Sequence, residues 1–587
     1  MYKFARVADR TAQTLALVLS LVYLCTGVTY LWLDYWPVTE SDFWQIYHTC
    51  LNSSWIQSAL LKFNNHSLFF PSFVWLSDLH FFHGDQGMLF GVGLLFLVAS
   101  TFLLLLPIWR APAIDLTGKC LATLTITVAS FWMGRAAITT SGGFNCMTSL
   151  VMLSAVVGFI LLRKMQTGST HYWPTATLLV FAGFVATFSF GSGLAVWPSF
   201  LFLGWNLRLP RRSLAIIAFA ALVALLIFRF LPPPEDGSAL LESINSPRLL
   251  SATSLKQLCW FIGAPVFYSV TAWEGVRPSP ALIESSGWLL WGGLAGLAFM
   301  VIIVASRLTR KNLPGPNLEF VGLALIIFNF FVALSVVASR VERFREIPVD
   351  VAAPRYLFWT SLFWAGLLLV ALHYALPRRW LRWPCILIVL SFPVVGWPEH
   401  RDEGLHWRYA RLLADEGATS LINGVTDPAR LLAPTQEHVD ALAPQLRARR
   451  LDMFAEGLQD WIGLPVSKFY EGNEDSAHFR GRAFIKPLTG GRDEHRAAKV
   501  TGQLFATKSG SRSRLVIVAP DGRVAGIARS FHSDPLLNRL LYGGRMPNGR
   551  IAGYIRDYHP ASRYVLRAAD EAGLSSEQIA IAPSESR

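Results

Sequence analysis

Hydrophobic positions in this chain fall in long runs rather than in short periodic stretches. The first run covers residues 15–33, and others begin near Gly87, Cys120, Asn145, Trp173, Gly193, Ser213, Trp288, Leu318, Tyr356 and Pro384. Each comes close to the roughly 20 residues that a helix needs to cross a bilayer. Residues 173–207 are too many for one crossing, and Gly191-Ser192-Gly193 interrupts them. That pattern predicts two spans joined by a tight turn, and about eleven spans in all. After Trp397 the pattern changes. Residues 405–416 and 437–450 read as short helices. Residues 500–506, 514–519, 524–531 and 550–555 read as strands, with Asp521-Gly522 as a hairpin turn. The fold class expected is mainly α. A polytopic transmembrane helix bundle occupies residues 1–398, and a soluble α+β, β-sandwich-like domain occupies residues 399–587.

Charge orients these spans. Lys3, Arg6 and Arg10 precede the first run, and basic clusters lie at Arg163-Lys164 and at residues 208–212, 307–311 and 378–382. With the N-terminus inside and eleven spans, every cluster falls inside, as the positive-inside rule requires. The C-terminal domain is then outside. Residues 255–273 form a twelfth candidate. Counting it as a full span would put the last two clusters outside, so it is expected to be re-entrant or interfacial. Two long outer loops follow, at residues 34–86 and 232–284.

Composition narrows the function classes. Hydrophobic residues make up 53% and charged residues 16%, with 21 Trp and 40 Phe. A typical soluble domain carries about 25% charged residues. This excludes an ordinary soluble enzyme and a disordered chain. The net charge of +13 belongs to the inner loops, so no nucleic-acid partner is expected. The six cysteines lie mostly inside apolar runs and form no disulfide framework. Only Cys50 is expected to be exposed.

No soluble-enzyme signature is present: no Walker loop, no G-x-G-x-x-G, no H-E-x-x-H and no paired C-x-x-C. The chemistry-bearing part is the first outer loop, which is aromatic-rich and carries Asp34, Glu40, Asp42, His48, His66, Asp78, His80, His83 and Asp85. Loops this long usually serve function, and this one reads as amphipathic helices lying on the membrane surface. Asp42 stands at the start of one of them. Arg135 lies near the outer end of the third span. Arg340, Arg343, Arg345 and Arg355 gather around the outer ends of the ninth and tenth, against the positive-inside trend. Charges at a membrane boundary are costly and often functional.

Three stretches carry a family resemblance. One is Ser41-Asp42-Phe43-Trp44, followed by Asn64-Asn65-His66-Ser67-Leu68-Phe69-Phe70-Pro71. The second is Ser189-Phe190-Gly191-Ser192-Gly193-Leu194-Ala195-Val196-Trp197-Pro198. The third is Arg355-Tyr356 at the opening of a late span. Together with an acid in the first outer loop and an outward C-terminal domain, they resemble a bacterial branch of the GT-C glycosyltransferases. Asn65 and Ser67 depart from that branch's N-E-H-R loop pattern. The resemblance implies an inner-membrane, multi-pass hexosyl- or pentosyltransferase with its site facing the periplasm. The donor would be a polyprenyl-phosphate-linked sugar, the acceptor a periplasmic glycan, lipid or protein such as a pilin, and membrane lipid the surrounding partner.

Inverting transfer from a sugar phosphate needs one carboxylate to take the acceptor proton. It also needs positive charge at the leaving phosphate, from arginine, lysine or a divalent cation. Asp42 is the expected base, with Glu40 as rival. Arg355, Arg135 and Tyr356 are the expected phosphate contacts. Asn65, His66, Asp78, Trp197 and Glu274 are further candidates for substrate contact. Each has a plainer reading. Asp42 would serve equally as a helix N-cap, Arg355 as a snorkelling anchor, Trp197-Pro198 as packing with a kink, and His66 as a structural hydrogen-bonder. His80 and His83 would pair on a metal only on paper. The rival functions are a lipid or glycan transporter or flippase, and a glycan polymerase or ligase.

Overall fold

The computed structural model describes residues 2–64, 66–166, 172–231, 251–276, 278–309, 318–469, 480–489, 496–506, 514–570, 573–574 and 578–584. The described chain divides into two compact units. One comprises residues 1–35, 55–74 and 89–404, and the other residues 36–54, 75–88 and 405–587.

The first unit is a helix bundle. Among the described residues, nine helices are long and apolar enough to cross a membrane, where the sequence suggested about eleven spans. The difference lies mainly between Tyr172 and Asn206. There the expected pair of full spans is a helix Tyr172–Thr187, a short 3-10 turn Gly191–Ala195 and a helix Val196–Asn206. At 16 and 11 residues both helices are short for a crossing. The predicted break at Gly191-Ser192-Gly193 is present.

Residues 255–273 were expected to be re-entrant or interfacial. They form part of one continuous helix, Ala252–Trp273, with Pro265 inside it. It packs along Gly287–Thr309. Glycine explains how closely the two approach. A Cβ on Gly293 would lie 1.8 Å from the Cys259 carbonyl oxygen, and one on Gly263 would lie 2.0 Å from the Leu289 carbonyl oxygen. Cys50, expected to be exposed, is buried, because it sits on the inner face of the helix Phe43–Asn52 with Phe43, Trp44, Ile46 and Tyr47.

One end of the bundle is tied by ion pairs. Arg382 Nη2 lies 3.0 Å from Asp9 Oδ1 and 3.0 Å from Asp115 Oδ2. Nearby chain ends carry a buried pair, Arg307 Nη1 to Glu319 Oε1 at 3.1 Å. A two-stranded ribbon of β1 (Lys62–Phe63) and β2 (His66–Ser67) belongs to the same unit.

In the second unit the strands are β3 (Arg480–Pro487), β4 (Ala498–Ala506), β5 (Arg514–Val518), β6 (Val524–Phe531), β7 (Arg550–Ile555), β8 (Val565–Asp570), β9 (Gly573–Leu574) and β10 (Ile579–Pro583). They run in the order β10-β3-β4-β7-β6-β5-β8-β9, and β10 also pairs with β8. That last pairing closes the sheet on itself. The domain is therefore a β-barrel, not the expected sandwich. The physical reason is β10: it joins β3 in parallel and β8 antiparallel, so neither edge is left open. Ile485, Val500, Leu515, Ile517, Ile551 and Leu566 fill its interior.

The helix Arg379–Ile422 delivers the chain to this barrel. Just beyond its end, Asn423 accepts from the Ile527 N–H at 2.7 Å and donates to the Ile527 carbonyl at 3.0 Å. Glu416 is buried among Arg430 (2.9 Å) and Lys499 (3.0 Å). Together with Arg550 these groups satisfy a charge that would otherwise be costly to bury.

Candidate functional site

The first unit gathers arginines at the bundle end opposite the Arg382 pairs. The helix Leu318–Ser339 stops at Arg340, a short helix Val341–Glu346 follows, and the chain re-enters the bundle through Pro354–Tyr356 into the helix Leu357–Ala375. Pro354 stops the preceding segment from continuing as helix. Arg340 Nη1 donates to the Tyr356 hydroxyl at 2.8 Å. Arg343 Nε and Arg355 Nη2 share one oxygen of Asp350, at 2.8 Å and 3.3 Å. The Arg355 guanidinium lies 5.2 Å from the Tyr356 ring centre, and its buried Nε has no hydrogen-bond partner.

Arg135 joins this group. Its segment Met133–Arg135 packs against Pro354–Tyr356. The side chain is only 1% exposed. Its guanidinium lies 4.2 Å from the Phe358 ring centre, and Nη1 donates to the Ala129 carbonyl at 3.1 Å. Nη2 is buried without a partner. A guanidinium held this way retains donors aimed at nothing in the protein, which an anionic ligand would satisfy.

The ribbon β1–β2 brings His66 to the same region. Burial pushes the His66 imidazole down to about 3, and the charge of Arg340 pushes it the same way. His66 is therefore neutral at pH 7. Its ring lies 4.5 Å from that of Phe190. A Cβ on Gly191 would sit 2.3 Å from His66 Nδ1, so glycine is what leaves room for the ring. Three sequence-distant stretches thus meet in one unit: His66 of the loop motif, Phe190-Gly191, and Arg355-Tyr356 with Arg340.

Two other candidates are placed differently. Trp197 is buried, its indole N–H donates to Thr187 Oγ1 at 2.8 Å, and it packs against Phe184 and Phe200. Glu274 is exposed at the C-terminal end of Ala252–Trp273. Asn65 lies outside the described residues, as do 232–250 and 277 of the second outer loop.

Of the first-loop acids, Glu40, Asp42, Asp78 and Asp85 belong to the second unit, and Asp34 to the first. Asp42 stands at the N-cap position of Phe43–Asn52, yet its side chain makes no capping hydrogen bond. The capping role suggested by sequence position is therefore not what its carboxylate does. Glu40 lies just before it, half-buried. Ser41, between the two, has φ 48° and donates its N–H to the Leu432 carbonyl at 2.7 Å.

Asp78 is fully buried. It accepts from the Tyr47 hydroxyl at 3.2 Å, and Gln86 donates to that same hydroxyl at 2.6 Å. Asp452, a residue the sequence did not single out, accepts from the Thr39 N–H at 2.8 Å. Its own N–H donates to the His83 carbonyl at 2.6 Å. Burial raises both carboxyls to about 7; the charge of Asp85 adds to the effect on each. One oxygen of each is buried without a partner. No spacing rule could have linked residues so far apart in the chain. His80 and His83 are exposed. Among the described residues no group of three or more His, Cys, Asp or Glu is placed to hold a metal ion.

Comparison with family models, with curated proteins and with solved structures finds no match for this chain.

Proposed function

We propose that the chain is an inverting glycosyltransferase of the bacterial inner membrane. It would move a monosaccharide from a polyprenyl-phosphate donor to a periplasmic glycan, glycolipid or protein. The observation that carries this reading is the arginine group of the helix bundle. Arg340 and Arg355 flank Tyr356, Arg135 lies over the nearby Phe358 ring, Asp350 is the carboxylate that bonds Arg355, and Arg135 and Arg355 keep buried N–H groups without partners. Such a group suits a phosphodiester held at the mouth of an apolar bundle.

In the proposed reaction Asp42 takes the proton of the acceptor hydroxyl. The hydroxyl oxygen then forms a bond to the anomeric carbon from the face opposite the phosphate. The bond from that carbon to the phosphate oxygen breaks, and its electron pair leaves with the polyprenyl phosphate. The departing phosphate gains negative charge, which the arginines stabilise as it grows. His66, neutral beside Arg340, leaves the positive potential there undivided.

The test uses the full-length chain in lipid nanodiscs with a short-chain polyprenyl-phosphate sugar. Asp42→Asn keeps size and most hydrogen bonding but removes the base. Turnover should fall by the roughly 10²–10⁴-fold typical of general-base removal, with donor binding kept. An active Asp42→Asn beside an inactive Glu40→Gln moves the base by two residues. Activity in both variants overturns the carboxylate mechanism.

A further inference from the structure

One helix of the barrel domain leaves large apolar side chains exposed. Pro535–Tyr542 reads PLLNRLLY, and its buried side chains are Asn538 and Tyr542. Asn538 faces inward because its amide holds the following loop, donating to the Met546 carbonyl at 3.0 Å and accepting from the Met546 N–H at 3.2 Å. Of its four leucines, Leu537 and Leu541 are half-buried and two are left outside. Leu536 is 65% exposed and Leu540 is 69% exposed. A short helix in water normally turns its leucines inward.

Strand register shows what surrounds it. The helix connects β6 to β7, whose facing ends pair Phe531 with Arg550. At that same end β4 pairs Gln503 with Arg550, and β3 pairs Arg480 with Ala506. Phe505 of β4, 56% exposed, therefore lies at the same end of the barrel as Leu536 and Leu540. Arg480, Arg482 and Arg539 are exposed there too, and Arg482 stacks 5.4 Å from the Phe505 ring centre. Neither β3, β4 nor the helix contains an acid. Among the described residues, two acids near them are engaged. Asp534 caps its own helix through the Leu537 N–H at 2.9 Å, and Glu456 bonds Arg514 at 3.0 Å.

We propose that this end of the barrel, Leu536, Leu540 and Phe505 ringed by Arg480, Arg482 and Arg539, is a docking surface for an anionic lipid bilayer. Two arguments select that occupant. Leucine and phenylalanine enter the acyl boundary while arginine stays among phosphate headgroups, which is how interfacial helices bind. The domain is also covalently joined to a bundle with, among the described residues, nine helices long and apolar enough to cross a membrane, so each copy meets membrane at high effective concentration. A modest patch that would fail to hold a free protein to lipid is sufficient under those conditions. The inference does not depend on the reaction proposed above.

The test uses the full chain, with its native cysteines replaced, in nanodiscs containing phosphatidylglycerol. Leu540→Cys carries an environment-sensitive fluorophore. Asp521→Cys, in the β5–β6 turn at the opposite barrel end, is the control. A nitroxide on the lipid headgroup should quench the label at position 540 several-fold more than that at 521. Phosphatidylcholine alone, or the added change Arg539→Glu, should reduce that quenching. Equal quenching at both positions overturns the proposal, as does no quenching at 540. A blue-shifted but unquenched label at 540 would mean that protein or glycan covers the helix, and overturns it as well.

Discussion

At the scale of single residues, two positions in the arginine group separate binding from packing. Arg355 could hold phosphate or merely anchor a helix end. Its bond to Asp350 fixes the plane of the guanidinium, while Nε remains without a partner. Lysine keeps the charge but cannot reproduce that planar fork. Arg355→Lys should therefore be made normally and lose transfer, in turnover if the contact strengthens as charge builds and in donor affinity otherwise. Unchanged kinetics would reduce Arg355 to an anchor and leave Arg135 or Arg340 to hold the phosphate. Gly191 tests the packing of the same region. A methyl group there would meet the His66 ring at 2.3 Å, and such overpacking costs about 1–3 kcal/mol. Gly191→Ala should lower the melting temperature of the detergent-solubilised chain and displace His66. His66→Ala should then relieve most of the loss, because it removes the ring that the methyl group strikes. Sequence alone placed Arg135 and Arg355 among the candidates, because boundary charges against the positive-inside trend are visible without coordinates; Tyr356 entered through the resemblance carried by Arg355-Tyr356. It could not tell that Trp197 is held by Thr187 in the core, nor that Asp452 meets Thr39. Those contacts join residues with no periodic relation.

At the scale of elements, the first-loop helices and the stretch around Asp452 are joined through buried acids. Tyr47 on Phe43–Asn52, Asp78 on Phe69–Phe81 and Asp452 form a set with no lysine or arginine among its named partners. The groups facing Asp78 are Tyr47, Gln86, Asp85 and Asp452, and those facing Asp452 are Thr39, the Met453 N–H and Asp85. Both carboxyls rise from the usual 3.8 to about 7. A raised carboxyl binds its proton more tightly in the folded state. Its contribution to stability is complete below the unfolded value, declines as pH rises, and is gone above about 7. Hydrogen exchange at residues 36–54 and 450–456 should accordingly quicken, relative to its intrinsic rate, between about pH 4 and pH 7 and level off above that. Asp78→Asn mimics the protonated form, so it should flatten the profile and stabilise the chain at pH 8, by about 1–4 kcal/mol if most of the shift is lost. A profile unchanged by Asp78→Asn would show that this carboxyl is ionised at low cost. The barrel shows the corresponding limit of sequence pattern for fold. The pattern picked out β4 to β7 as short apolar stretches; β5 and β7 are buried along nearly their whole length. It missed β3, whose outward face mixes arginine, phenylalanine and lysine, and it missed β8 and β10. Since β10 is the strand that closes the sheet, losing it made a barrel look like a sandwich.

At the scale of the whole molecule, orientation in the membrane decides whether the proposed donor can be reached. The bundle has two chemically distinct ends. Asp9, Asp115 and Arg382 meet at one, next to the chain ends that carry most of the basic clusters. Arg135 closes the helical segment that begins near Asp115, so it lies at the other end with Arg340 and Arg355. Under the proposed topology, loops rich in lysine and arginine stay inside, so the first end would lie in the cytoplasm and the arginine group would face outward, on the side of the proposed donor. The same proposal puts the C-terminal domain outside. Exposed positions can report this directly. In a background without native cysteines, Arg211→Cys marks the first end and Asp521→Cys marks the barrel; both sites are exposed. In intact spheroplasts an impermeant maleimide should label Asp521→Cys at once and Arg211→Cys only after the membrane is opened. Arg345→Cys, exposed on Val341–Glu346 beside the arginine group, should behave like the barrel site. The reverse pattern would turn Arg135, Arg340 and Arg355 toward the cytoplasm. They would then meet nucleotide-linked rather than outer-leaflet donors, and an outward-facing transferase could not stand. Labelling of Arg345→Cys and Arg211→Cys alike would instead mean an odd number of crossings has been misread between them, with the short helices Tyr172–Thr187 and Val196–Asn206 unaffected because both precede Arg211. The helix Ala252–Trp273 would then be the first place to look. It is the 22-residue continuous helix expected to be re-entrant or interfacial, and counting it as a crossing changes the side of every later loop.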